Sequence, residues 1–202
     1  MAIYPSKYHQ FINNKTNTMT VVNQTLLDGR DLSRDEFGEF YKGYVDKSRG
    51  ENLIVRLQDG KTEVVDTFLP LNDEKALFRY AAGKWTLKEV MGHLVDTERV
   101  FQYRALAISR NVRRALPGYD HQEYVERAGF NEMVLEDLLT QYQDTRQSTI
   151  SLFSSFTDKQ LGKRGVVNGC MFTVRALGYV ITGHELKHLD TIREKYADVF
   201  SK

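Results

Sequence analysis

Thr173-Val174-Arg175-Ala176-Leu177-Gly178-Tyr179-Val180-Ile181-Thr182-Gly183-His184-Glu185-Leu186-Lys187-His188 opens the last long periodic segment, which runs on to about Asp198. Leu177, Ile181, His184, His188 and Ile192 recur at helical spacing and form one stripe on an α-helix. Such a stripe is the face a helix buries, so two histidines stand where core residues belong. Four residues apart, they project from the same face and can reach one ion. Two neutral imidazoles are costly to bury together unless something satisfies their lone pairs. A divalent metal would.

Working upstream, three more segments carry the same period. Glu51 to Leu69 places Leu53, Ile54, Leu57, Val64, Val65 and Phe68 inward, despite Gly60, which costs about 1 kcal/mol relative to alanine. Pro70 ends it, and Asn72-Asp73 marks a turn. The next helix starts after Trp85, with Thr86 as N-cap and Glu89 completing a capping box, and runs to about Ile108. Val90, Leu94, Phe101 and Ala105 face inward, and His93 shares a neighbouring stripe with Thr97. A third helix runs from about Met133 to Phe156. Asn111 to Phe130 reads as an irregular stretch of the length that lids a site or packs as a compact loop, and Asp158 to Met171 as a connector. Phe37, Phe40, Tyr41 and Tyr44 suggest one or two aromatic helical turns before the first long helix. Residues 1–30 are polar and aperiodic and read as a weakly ordered arm, leaving residues 31–202 as the domain. With four long helices and no strand-length alternation, the chain is all-α. It is a four-helix bundle whose long connections permit crossovers.

Composition narrows the function. Of 202 residues, 27 are acidic and 28 basic, so no global field recruits nucleic acid or an anionic membrane. A single cysteine, Cys170, excludes an intramolecular disulfide framework. There is no basic-then-apolar leader and no apolar run of about 20 residues, so the expectation is a cytoplasmic protein without a membrane span.

His93 from one helix and His184 and His188 from another make a possible metal site of the kind built between facing helices of a bundle. The competing reading is three separately hydrogen-bonded core histidines. His184-Glu185-x-x-His188 also spells a metalloprotease motif with Glu185 as base. That motif needs a downstream third ligand, and no histidine follows His188. Glu185 is then a polar neighbour or a partner that orients a ligand. His121 follows Pro117-Gly118-Tyr119-Asp120 and could face the site, although a solvated loop histidine explains it as well. Arg104, Arg110, Arg113 and Arg114 could hold an anion, or could simply complement a helix end.

The run Arg79 to Trp85, then Lys88-Glu89-Val90, Gly92-His93-Leu94, Asp96-Thr97-Glu98-Arg99 and Tyr103-Arg104-Ala105-Leu106, resembles the DinB-like (YfiT-like) metal-binding four-helix proteins. So do Leu116 to Asp120 with Tyr124, and Val174 to Leu177 leading into Gly183-His184-Glu185 and His188. The resemblance implies that His93, His184 and His188 bind one divalent metal, zinc or nickel. It also makes Glu185, Asp96, Arg104 and His121 candidates for supporting or substrate contacts. Family members commonly read Gly-His-Glu-x-His-His; Lys187 replaces the first histidine of the final pair, which is not a ligand. Relatives include S-transferases that use bacillithiol, mycothiol or glutathione-like thiols, a maleylpyruvate isomerase branch, and proteins described as metal-dependent hydrolases. The expectation is a metal-dependent thiol S-transferase acting on small electrophiles, with a homodimer as a family-level expectation. The alternatives are hydrolysis by a metal-bound hydroxide and a non-catalytic metal-binding stress protein.

Overall fold

The computed structural model describes residues 25–200. Short 3-10 turns lead into α1 (Lys42–Ser48), followed by α2 (Leu53–Phe68), α3 (Asp73–Ala76), α4 (Leu87–Ser109), α5 (His121–Ala128), α6 (Leu135–Ser154) and α7 (Asp158–Leu161). A hairpin of β1 (Arg164–Val167) and β2 (Cys170–Thr173) precedes α8 (Val174–Lys195) and α9 (Ala197–Phe200). The expected N-terminal arm lies outside the described residues as far as residue 24. Beyond it the expectation is corrected: Leu27 is buried, and the Tyr179 hydroxyl donates to its carbonyl.

Local chemistry starts each long helix. The Asn52 side chain accepts from the Ile54 amide to cap α2, and the Thr86–Glu89 capping box forms at α4. The Thr173 hydroxyl accepts from the Ala176 amide at the start of α8. Helix α6 begins at Leu135 instead of Met133, where the Asp73 carboxylate accepts from the Leu135 amide.

Helices α2 and α4 each pack against both α6 and α8, so α2 faces α4 across one diagonal of the bundle and α6 faces α8 across the other. Two apolar clusters fill the interior. One gathers Leu53, Leu57, Phe101, Phe153 and Leu177; the other gathers Val64, Phe68, Leu138, Leu189 and Ile192. The order of these residues along each helix sets its direction. α2 and α8 run one way, α4 and α6 the other. The connections from α2 to α4 and from α6 to α8 therefore cross a diagonal at one end. The connection from α4 to α6 travels the length of the bundle as a true crossover.

Two stretches differ from expectation. Residues 111–130 contain α5, whose Asp120 N-cap accepts from the Gln122 and Glu123 amides. The 158–171 connector contains α7 and strand β1, so the described chain is not strand-free. Asn168 and Gly169 turn the hairpin with φ of 47° and 75°, the left-handed pair a two-residue hairpin turn requires. Leu116 bridges to this hairpin, donating to Val166 O and accepting from Asn168 N, both at 2.9 Å. The start of the crossover is thereby tied down beside α8.

A charged layer separates the apolar clusters. Arg146 of α6 is 0% exposed and donates bidentately to Glu98 of α4, both bonds at 2.8 Å. It also pairs with Glu185 of α8 and donates to Leu57 O of α2. The Tyr142 hydroxyl donates to Glu185. Burial opposes the Arg146 charge, but the Glu185 and Glu98 carboxylates outweigh it and hold its pKa well above the arginine range. Gly60 is required here, because a Cβ would fall on the Glu185 carboxylate. Among the described residues, no helix is long and apolar enough to cross a membrane.

Candidate metal centre

The histidines lie on the α4–α8 pair, on a face of α8 turned about 100° from Glu185 and the charged layer. His93 Nε2 is 3.0 Å from His184 Nε2, which is 3.1 Å from His188 Nε2. One ring nitrogen from each of the three falls within 4.8 Å of the other two. His93 is 5% exposed; His184 and His188 are partly buried.

Burial governs their protonation. It lowers the pKa of His93 to about 2, of His188 to about 4, and of His184 well below the usual histidine value. Repulsion between neighbouring basic groups adds to the effect: His188 and His121 act on His93, and Lys187 and His121 on His188. At neutral pH all three rings are uncharged. A neutral imidazole has one N–H, so three converging rings leave lone pairs facing one another. A cation resolves that conflict, and three nitrogen donors on facing helices suit a borderline divalent ion. The residues fit the group.

Neighbouring side chains hold this arrangement. Thr97, one turn after His93, has its hydroxyl 3.4 Å from His93 Nδ1 and 2.7 Å from the Tyr119 hydroxyl. The crossover thus reaches the back of one candidate ligand. Trp85 lies 4.7 Å from the His93 ring and stacks on His188 at 6.4 Å, fixed by its position just before the α4 cap. Tyr44 meets His184 edge-on at 5.5 Å. That contact depends on Gly183, where a Cβ would fall on the Tyr44 carbonyl and push α1 off α8.

The histidines open onto a cavity of about 400 Å³ between α4, α8, α1 and the crossover. Its walls include Tyr41, Tyr44, Trp85, Phe101 and Tyr119. Arg104, Lys187 and His121 also line it, and the described residues lining it include no aspartate or glutamate. Of the sequence candidates, His93, His184, His188, Arg104 and His121 come together here. Asp96 does not line the cavity; it is partly buried and pairs with Arg99 at 3.5 Å, and burial raises its pKa. Glu185 is turned away from the histidines into the Arg146 layer, because adjacent positions on a helix lie about 100° apart. The expectation that it orients a ligand is replaced by this interior role. Trp85, Tyr44 and Tyr119 were not anticipated at the site: Trp85 and Tyr119 lie in connections without a periodic signal, and the helical spacing of Tyr44 gives a helical turn without naming what it packs on.

The family model described as the DinB superfamily matches residues 56–192, more than half of the chain and all three histidines. The chain belongs to the DinB superfamily. This DinB-superfamily bundle also resembles YfiT from Bacillus subtilis in fold, with a TM-score of 0.66 and 20% sequence identity. The likeness covers 74% of this chain and 87% of YfiT, which is described as a probable metal-dependent hydrolase with an unusual four-helix bundle topology. No curated protein matches the chain by sequence.

Proposed function

We propose that this DinB-superfamily protein is a divalent-metal-dependent enzyme that transfers a small thiol onto an electrophilic small molecule. His93, His184 and His188 would hold the ion. The observation that carries the reading is the all-nitrogen, uncharged triad opening onto an acid-free cavity with Arg104 and Lys187 in its walls. Three neutral ligands leave the charge of a divalent ion uncompensated, and among the described residues no carboxylate lines the cavity to offset it. That surplus favours an anionic nucleophile. When bound, the ion supplies positive charge that favours a thiolate over its thiol.

The chain's own residues do the rest. Thr97, held by Tyr119, orients His93. Trp85, Tyr41 and Phe101 give the electrophile an apolar wall and limit water beside the histidines. The thiolate forms the C–S bond while the leaving group departs with its electron pair. His121, at the cavity edge 5.6 Å from the His93 ring, is placed to exchange a proton with that group.

A second reading is hydrolysis. His121 favours it, as a cavity histidine outside the triad that can accept a proton from an attacking water. Incubating zinc- or nickel-loaded protein with small thiols and a chlorodinitrobenzene or epoxide separates the two. Chelator-sensitive conjugation is expected. Its absence with every thiol tried, together with chelator-sensitive ester turnover, would overturn the first reading in favour of the second.

A further inference from the structure

Arg104 is 3% exposed, yet no carboxylate pairs with it among the described residues. The other deeply buried arginines, Arg146 and Arg175, are each held by glutamates. Among the described residues Arg104 has one hydrogen bond, from Nη2 to the Pro117 carbonyl at 2.8 Å. Its guanidinium lies over the Phe101 ring at 4.9 Å and beside Tyr119 at 5.7 Å. It lines the cavity, and none of its nitrogens is both sealed from the cavity and unbonded. A guanidinium offers five N–H donors in a planar fork that suits a carboxylate, and one bond to a carbonyl leaves most of them free.

Its place on α4 sets the ligand's length. Arg104 follows His93 by three turns, roughly 16 Å of helix rise. Its side chain leans back toward the N-terminus, over Phe101, as helical side chains do. The guanidinium and the triad are therefore separated along the cavity, with the aromatic rings of Phe101 and Tyr41 on the wall.

We propose that Arg104 anchors the carboxylate of an anionic ligand whose flat apolar body lies along the Phe101 and Tyr41 wall and whose other end meets the histidines. This deepens the proposed function and rests on it for what happens at the histidine end. The carboxylate belongs either to the thiol or to its electrophilic partner.

Trp85 is the only tryptophan in the chain and lines the same cavity, so its fluorescence reports occupancy without any turnover. Two matched pairs serve as probes for metal-free protein: 4-phenylbutanoate against 4-phenylbutanamide, and N-acetylcysteine against its amide. We expect the acid of at least one pair to bind about tenfold more tightly than its amide, as a charge-assisted fork contact gives. Arg104→Gln should remove that preference while binding the amide as wild type does, which also shows an intact cavity. Should Arg104→Gln fail to fold, Arg104→Lys replaces the fork with a point charge and should reduce the preference several-fold. The pair that shows the preference identifies which molecule carries the anion. Equal binding of acid and amide in both pairs, or a preference that survives Arg104→Gln, would overturn the proposal. Metal stoichiometry measured on the same samples keeps the two readings apart. One ion per wild-type chain with no acid preference leaves the metal site and removes the anchor; acid preference without metal uptake does the reverse.

Discussion

Three imidazoles meeting at about 3 Å make a site whose protonation and stability are linked. In the unfolded chain histidine titrates near 6.5. In the fold His93 is held at about 2 and His188 at about 4, with His184 also lowered. Between those values the unfolded state binds more protons, so stability falls as pH falls. Urea unfolding of metal-free protein should show a lower midpoint at pH 5.5 than at pH 7.5; equal midpoints would contradict the burial of neutral rings. His93→Ala or His184→Ala should abolish stoichiometric zinc or nickel uptake, read by elemental analysis. Thr97→Val removes the hydroxyl between His93 and Tyr119 and should weaken metal affinity by about 10–100-fold with the helical spectrum unchanged. Undiminished affinity would show that His93 needs no such support.

Helices α1 and α8 touch through backbone, which only glycine at 183 allows. Gly183→Ala must move α1, and with it Tyr44, whose ring meets His184. Overpacking of this kind costs about 1–3 kcal/mol, so the thermal midpoint should drop by several degrees. An unchanged midpoint would mean that α1 contributes little to the fold. The capping residues Asn52, Thr86 and Thr173 each start a long helix, and the cap at Thr86 was legible in the sequence because a cap is a local pattern. The hairpin was also signalled, by Asn168-Gly169, the strongest short-range turn signal there is. Short strands beside it, with only Val166-Val167 clearly apolar, let the connector reading prevail.

Across the bundle, one charged layer joins all four long helices: Arg146, Glu98, Glu185 and the Leu57 carbonyl. Removing Arg146 leaves Glu98 and Glu185 buried with no cation between them. Arg146→Met should therefore cost about 3–5 kcal/mol in denaturant unfolding, whereas replacing Arg146, Glu98 and Glu185 together by apolar residues should cost far less. If the single and triple variants lose equally, the layer is not an electrostatic unit.

The sequence by itself determined the helices and placed three histidines on inward stripes, because period and caps are properties of neighbouring residues. It also carried a trace of the charged layer, since Glu98, Arg146 and Glu185 interrupt apolar stripes with opposite signs. Only the tertiary structure decided which charges meet. It turned Glu185 into that layer, set Asp96 aside, and brought Trp85, Tyr44, Tyr119 and Arg104 around one cavity. Those outcomes depend on helix order and direction, and on a crossover that runs the length of the bundle. His184 and Glu185 are adjacent in the chain, yet one faces the cavity and the other the interior. Rotation about the helix axis, set by what packs on each side, separates their roles.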